Sequence, residues 1–81
     1  MTRGEQVVST IEYDLFENEV KGETGIFLKQ DKKSNKCLIY YPQFLEWAEI
    51  PLEHLDRLDP DFVPVDNLDF VNRITEMKTT F

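Results

Sequence analysis

Short runs of hydrophobic residues alternate with turn-forming residues along most of this chain. The first run, residues 6–11, is rich in β-branched side chains and predicts a strand. A second run starts at Ile26, after Gly25, where glycine permits a bulge or a sharp bend. Residues 37–41 are apolar or aromatic throughout and predict a central strand that is covered on both faces, or that has one face in the core and the other against a loop. The polar residues 31–36 predict the hairpin turn between these strands.

The pattern continues into a fourth strand and a closing turn. Residues 44–50 alternate imperfectly and predict a strand with Ala48 and Ile50 facing inward. Pro51 ends this strand. The leucines that follow are spaced for one 3₁₀ turn and a short closing strand, and they are Leu52, Leu55 and Leu58.

Residues 12–20 allow two interpretations. Tyr13, Phe16 and Val20 have helical spacing but lie among acids and amides. No cap and no sustained apolar face supports a helix there. We therefore expect a long, partly packed loop, with a short helix as the alternative.

The C-terminal part of the chain differs from the rest. Prolines and aspartates punctuate a linker that begins at Asp59. Asp66 or Asn67 is a suitable N-cap for a helix over residues 68–77. Such a short helix is not stable alone in water, so its apolar stripe must dock on something. The stripe consists of Phe70, Val71, Ile74 and Met77.

Composition indicates one small globular domain. The chain has 81 residues, of which 41% are hydrophobic, enough for one modest core. Its single cysteine, Cys37, excludes an internal disulfide and favours a reducing compartment, so we expect a cytoplasmic protein. Neither a signal peptide nor a membrane span is visible in the sequence.

The net charge of −7 is unevenly distributed. Residues 1–20 carry −4, residues 21–36 carry +3 and residues 37–81 carry −6. This field should repel nucleic acid and anionic lipid and favour a basic or larger protein partner. The simpler interpretation is that the acidity only keeps a small protein in solution.

Several segments together resemble an SH3-like β-barrel. They are Gly4–Val8, Gly22–Phe27, Cys37–Tyr41, and Ile50–Pro51 with Leu55 and Leu58. The layout is similar to KOW-type barrels and to small photosynthetic accessory barrels. The resemblance implies a mainly β fold: a small SH3-like antiparallel barrel of about five strands in residues 1–62. Residues 63–81 would then be a linker and a short C-terminal α-helix packed on the barrel or on a partner.

Eukaryotic SH3 domains bind Pro-rich ligands in an aromatic groove. Residues 11–15 resemble their ALYDY segment, and residues 49–55 resemble their Pro-x-x-Tyr segment. The tyrosine of the second segment is replaced by His54 or Leu55, and the tryptophan of their third strand is absent. The sequence therefore argues against a Pro-rich ligand.

No catalytic or metal-binding pattern stands out. A Cys37–His54 dyad is conceivable, but a cysteine in an apolar strand has a raised pKa and low reactivity. One cysteine and one histidine are too few for a structural zinc site. The acids Asp59, Asp61, Asp66 and Asp69 lack the spacing of an EF-hand loop. We expect no enzyme activity, cofactor or metal.

Two candidate binding sites remain. Aromatic residues crowd one hairpin and predict a protein-binding surface, with cover by the C-terminal helix or the 12–20 loop as the alternative. They are Tyr40, Tyr41, Phe44 and Trp47.

Lysines crowd the other hairpin, where phosphate contact is the functional interpretation and protection of a sheet edge the structural one. They are Lys29, Lys32, Lys33 and Lys36.

Our main hypothesis is an accessory or interaction module that docks through the aromatic hairpin. The alternative is a KOW-like barrel associated with RNA or the ribosome, although the acidic field argues against nucleic acid. A self-associating structural piece is a third hypothesis.

Overall fold

A computed structural model describes residues 1–12, 14–15, 18–59, 61 and 68–77. The described residues form seven strands, one 3₁₀ turn and one α-helix. In chain order they are β1 (Gln6–Ser9), β2 (Asp14–Leu15), β3 (Asn18–Glu19), β4 (Thr24–Asp31), β5 (Lys36–Tyr41), β6 (Glu46–Pro51), the 3₁₀ turn Leu52–His54, β7 (Leu55–Arg57) and α1 (Leu68–Glu76).

Five strands form one antiparallel sheet in the order β6-β5-β4-β1-β7. This confirms a mainly β fold with about five antiparallel strands and a short C-terminal helix. The predicted 3₁₀ turn and closing strand are also present, and the three residues of β7 pair with β1. Within the described part of the chain, no pairing joins the outer strands β6 and β7. The sheet is therefore open, and the predicted closure into a barrel is not found.

The hairpin between β4 and β5 lies where the polar residues 31–36 predicted it. Asp31 Oδ1 accepts a hydrogen bond from the backbone N–H of Lys33 at 3.0 Å. Asn35 has φ of 57°, a left-handed conformation that asparagine tolerates. The strand register shifts between Phe27 and Lys29, which marks a β-bulge. The sequence had placed the bend earlier, at Gly25.

The segment after β1 differs from its prediction. β2 and β3 pair in antiparallel fashion, with Asp14 opposite Glu19 and Leu15 opposite Asn18. The segment thus contains a small hairpin, where the sequence predicted a loop with a short helix as the alternative. The two strands contain only four residues and pair through backbone hydrogen bonds, which require no alternation of apolar side chains. The hydrophobic pattern of the sequence therefore did not predict them. Tyr13 and Phe16 lie outside the described residues.

Hydrophobic side chains cover both faces of the sheet, as predicted for the central strand. In β5, Cys37, Ile39 and Tyr41 point to one face, and Leu38 and Tyr40 point to the other. The first group belongs to the main cluster, which contains Val7, Val20, Phe27, Cys37, Ile39, Tyr41, Ala48, Ile50 and Leu55. The second group belongs to the helix cluster, which contains Leu28, Leu38, Tyr40, Val71 and Ile74, with Ile26 and Trp47 packed against it.

Helix α1 packs on the sheet, and its observed end lies one residue before the predicted one. Val71 and Ile74 are buried, but Phe70 is 49% exposed and Met77 is 70% exposed. Only half of the predicted stripe therefore faces the sheet. On a helix, Phe70 and Met77 lie roughly 100° around the axis from Val71, which places them beside the contact. The N-cap candidates Asp66 and Asn67 lie outside the described residues.

A second contact fixes the helix from the N-terminal side. Arg3 Nε donates to the Leu28 carbonyl at 2.9 Å, and Arg3 Nη1 donates to Asn72 Oδ1 at 3.2 Å. Arg3 thus links the N-terminal residues, β4 and α1.

No helix in the described part of the chain is long and apolar enough to cross a membrane.

An ion pair joins the residue before β1 to the last residue of β7. The Glu5 side chain is 1% exposed, and its Oε2 lies 2.9 Å from Arg57 Nε. Glu5 Oε1 accepts a hydrogen bond from the backbone N–H of Thr2. The buried carboxylate therefore has a partner on each oxygen, as a charge removed from water requires.

Candidate functional site

The four predicted aromatic residues do not share one surface. Tyr40 is buried and Trp47 half-buried, and their ring centroids are 4.9 Å apart in the helix cluster. Trp47 Nε1 donates to the backbone carbonyl of Ile74 at 3.3 Å. For these two residues the observed arrangement is the alternative that the sequence left open, namely cover by the C-terminal helix.

Tyr41 points to the opposite face and is fully buried in the main cluster. Its hydroxyl oxygen has no hydrogen-bond partner among the described residues. Burial, and to a smaller extent the nearby Glu23 carboxylate, raise the pKa of this hydroxyl to about 12. Tyr41 therefore contributes to the core and presents no surface to a partner.

Tyr40 and Tyr41 are buried, so neither gives exposed surface to the predicted protein-binding hairpin. Consecutive residues in a strand point to opposite faces, and here both faces are covered. Phe44 is half-buried, packs against the main cluster, and lies 6.1 Å from Tyr41 between ring centroids. Of the four aromatics, Phe44 and Trp47 retain exposed surface.

The turn between β5 and β6 presents a residue that the sequence analysis did not select. Leu45 is 71% exposed and has φ of 53°, in the left-handed region. A bulky residue in this conformation is uncommon, and glycine or asparagine would fit with less strain. Neither its exposure nor its backbone angle could be derived from hydrophobic periodicity, because both depend on the turn type.

Hydrogen bonds hold this turn in place. The Phe44 backbone N–H donates to the Tyr41 carbonyl at 3.1 Å. The Gln43 side-chain amide donates to the Thr24 carbonyl at 2.9 Å and to Glu23 Oε2 at 3.4 Å. The turn is therefore tied to the start of β4, and Leu45 projects from a supported backbone.

Two acids flank this turn. Glu46 follows Leu45 and pairs with Tyr41 across the strands, while Glu23 bonds to Gln43. We call this surface the acidic tip and define it by Glu23, Phe44, Leu45 and Glu46. It joins an exposed apolar side chain to a negative rim, a combination typical of protein interfaces.

The lysine hairpin, defined by Lys29, Lys32, Lys33 and Lys36, lies at the opposite end of β5. Lys32, Lys33 and Lys36 are exposed, and Lys29 is half-buried. The Asp31 carboxylate lies among them and bonds to the turn backbone and to the Ser34 hydroxyl. Hydrogen bonds from Lys33 N–H and then from Ser34 lower the pKa of Asp31, so its charge offsets part of the positive charge.

The remaining candidates show little reactivity. Cys37 is buried, and burial raises the pKa of its thiol, which disfavours the nucleophilic thiolate. His54 lies at the half-exposed end of the 3₁₀ turn, with Nε2 3.8 Å from the Glu53 carboxylate. Among the described residues, no group of three or more metal-ligating side chains comes together.

Comparisons of the chain with protein-family models, with curated proteins and with solved structures found no match in any of the three.

Proposed function

We propose that this chain is a small non-enzymatic protein-interaction module that docks on a basic partner through its acidic tip. The exposed Leu45 carries the proposal. Its left-handed backbone costs roughly 1 kcal/mol relative to glycine, and its exposed side chain recovers little of this by burial in the free chain. Burial of the leucine in a partner would recover that energy.

The surroundings of Leu45 suit such a role. Phe44 offers part of a ring beside it, and the turn is held by the Gln43 hydrogen bonds. Because the backbone is already fixed, little conformational entropy is lost on binding. Glu23 and Glu46 would face basic groups on the partner, in line with the net charge of −7.

A non-enzymatic role is further supported by the state of the reactive residues. The single thiol is buried in the main cluster, and the described residues bring no base and orienting group to it.

We propose that the sheet belongs to the SH3-like class as an open barrel. β1 lies between β4 and β7, and a 3₁₀ turn joins β6 to β7. A 3₁₀ turn before the last strand is also part of the layout that the sequence resemblance implies. An experimental structure with a regular β-sandwich or a flat ribbon would contradict it.

Partner capture tests the proposed function. Wild-type protein and the variants Leu45→Asn and Leu58→Asn would be immobilised, and bound proteins from the source cells quantified by mass spectrometry. Leu58 is 50% exposed and lies away from the tip, so it serves as the matched control. We expect a partner with a basic surface to bind wild type and Leu58→Asn and to be lost with Leu45→Asn. An identical set for all three proteins would contradict the proposal.

The lysine hairpin supports a second candidate, contact with nucleic acid phosphates. Lys32, Lys33 and Lys36 are exposed on a turn that hydrogen bonds hold rigid. Binding of RNA at low salt that is lost with Lys32→Glu plus Lys33→Glu would favour this role. If RNA shows no gel shift with the wild-type protein at low salt, this role is excluded.

A further inference from the structure

The two ends of β5 carry opposite charge. The strand begins at Lys36, which belongs to the lysine hairpin, and ends at Tyr41, beside the acidic tip. Six residues that rise about 3.3 Å each separate these ends by about 17 Å. The molecule therefore presents a basic end and an acidic end on opposite sides.

Each end also offers apolar surface. The acidic tip has Leu45 and part of Phe44. At the basic end, Pro51 pairs with Lys36, and the Leu52 backbone N–H donates to the Asn35 carbonyl at 3.0 Å. Pro51 and Leu52 are half-buried, and the methylene stems of the lysines extend this surface.

Each end also contains side chains of the opposite charge, but these do not reverse its net charge. At the basic end, four lysines outnumber three acids: Asp31, which bonds within its own turn, Glu53 beside Leu52, and the exposed Glu49, which pairs with Leu38. At the acidic end, Lys21 is exposed two residues before Glu23. Each end keeps a net charge that attracts the other.

We propose that the chain associates head to tail, with the acidic tip of one copy docked on the basic end of a second copy. Leu45 would lie against Pro51, Leu52 and the lysine stems, and the tip acids would face Lys32 and Lys33. The proposal rests on the proposed role of the tip as a docking surface and names a second copy as the partner. Because the two surfaces differ, the contact is heterologous and adds copies in a row.

Charge exchange tests this arrangement with the protein alone. One variant, Lys32→Glu plus Lys33→Glu, has two acidic ends, and another, Glu23→Lys plus Glu46→Lys, has two basic ends. Sedimentation velocity over a concentration series would measure mass. We expect the wild-type mass to rise with concentration, each variant to stay monomeric, and an equimolar mixture of the two to form complexes. Each reversal changes the charge by two, so the variants carry −11 and −3, and their net charges do not attract.

Two controls separate the contact from general effects. Arg73→Glu makes the chain more acidic, at −9, but leaves both the lysine hairpin and the acidic tip intact, so it should associate like wild type. Leu45→Asn, which relieves backbone strain, should fold and associate about tenfold more weakly. A wild-type chain that remains monomeric, or a mixture that forms no complex, would overturn the head-to-tail contact. Neither result affects capture of a different partner by the tip, so the two proposals fail separately.

Discussion

The ring of Tyr41 packs directly against Gly25, on the strand beside it. A Cβ atom added to Gly25 would lie 2.9 Å from Tyr41 Cε1 and would also overlap Ile39 Cγ2. Both neighbours are fully buried, so neither can move aside without disturbing the main cluster. The glycine is required by close packing in addition to any backbone bend.

Gly25→Ala should therefore destabilise the chain by about 2 kcal/mol through overpacking. Gly22→Ala is the matched control, because Gly22 has φ of 80° and nothing within 4 Å of an added Cβ. It should lose about 1 kcal/mol from backbone strain alone. Urea unfolding monitored by Trp47 fluorescence would measure both. An equal loss for the two variants would contradict the packing argument.

Tyr41 gives the protein an alkaline limit. The folded pKa of about 12 is higher than the ordinary value of 10.0, so between these values the unfolded chain loses a proton that the folded chain keeps. This contribution to stability is complete below pH 10 and is lost as pH rises toward 12. Stability should fall as pH rises through this range, and Tyr41→Phe should remove the part of that fall that comes from ionisation of Tyr41. Unfolding curves across this range, with ultraviolet titration of tyrosinate, would show it.

The same variant should cost little at neutral pH. The Tyr41 hydroxyl has no hydrogen-bond partner among the described residues, so its removal leaves no group unpaired. We expect Tyr41→Phe to change stability at pH 7 by less than about 1 kcal/mol. A large loss would mean that the hydroxyl has a partner.

The Glu5–Arg57 pair should be sensitive to loss of its cation. Arg57→Ala would leave the carboxylate buried without a counter-charge, at a cost of about 3 kcal/mol. Glu5→Gln combined with Arg57→Ala should recover part of that loss, because no buried charge remains. Arg73→Ala, on the exposed side of the helix, is the control and should have little effect. Chemical denaturation of wild type and the three variants would measure these differences in the free energy of unfolding.

Two left-handed residues offer a reciprocal test of strain. Asn35 has φ of 57° and Leu45 has φ of 53°, but asparagine suits this conformation better than leucine. Leu45→Asn should stabilise the free chain by about 0.5 kcal/mol, and Asn35→Leu should destabilise it by a similar amount or more. Thermal unfolding would measure both shifts. If Leu45→Asn lowers the melting temperature, Leu45 makes stabilising contacts in the free chain.

Helix docking depends on few side chains. Ile74→Ala should cost about 3 kcal/mol, because its side chain is buried in the helix cluster. Met77→Ala, one turn later and largely exposed, should change stability by less than about 0.5 kcal/mol. Hydrogen exchange of α1 should accelerate in the first variant and stay the same in the second.

Strands and turns with strong local signals were predictable from the sequence. The apolar run at residues 37–41, the polar turn before it and the leucine spacing after Pro51 all specified their elements. Two features were not predictable. The β2–β3 hairpin is too short to show the alternating pattern of a strand. Closure of the sheet depends on whether its outer strands meet, which no local pattern encodes.

The candidate site was harder to predict, for a related reason. Tyr40 and Trp47 had an apolar pattern compatible with either exposure or cover, and the position of α1 decided the outcome. Leu45 carried no signal because its exposure follows from the turn that Gln43 and Phe44 stabilise. Lys32, Lys33 and Lys36, in contrast, are exposed, as expected for charged side chains.

The position of β1 between β4 and β7 affects how the protein can assemble during translation. β1 leaves the ribosome before its partner β7, from which about 45 residues of later synthesis separate it. Until then one edge of β1 stays unpaired, and the Glu5 carboxylate lacks Arg57. The nascent chain therefore completes this sheet only after β7 has emerged.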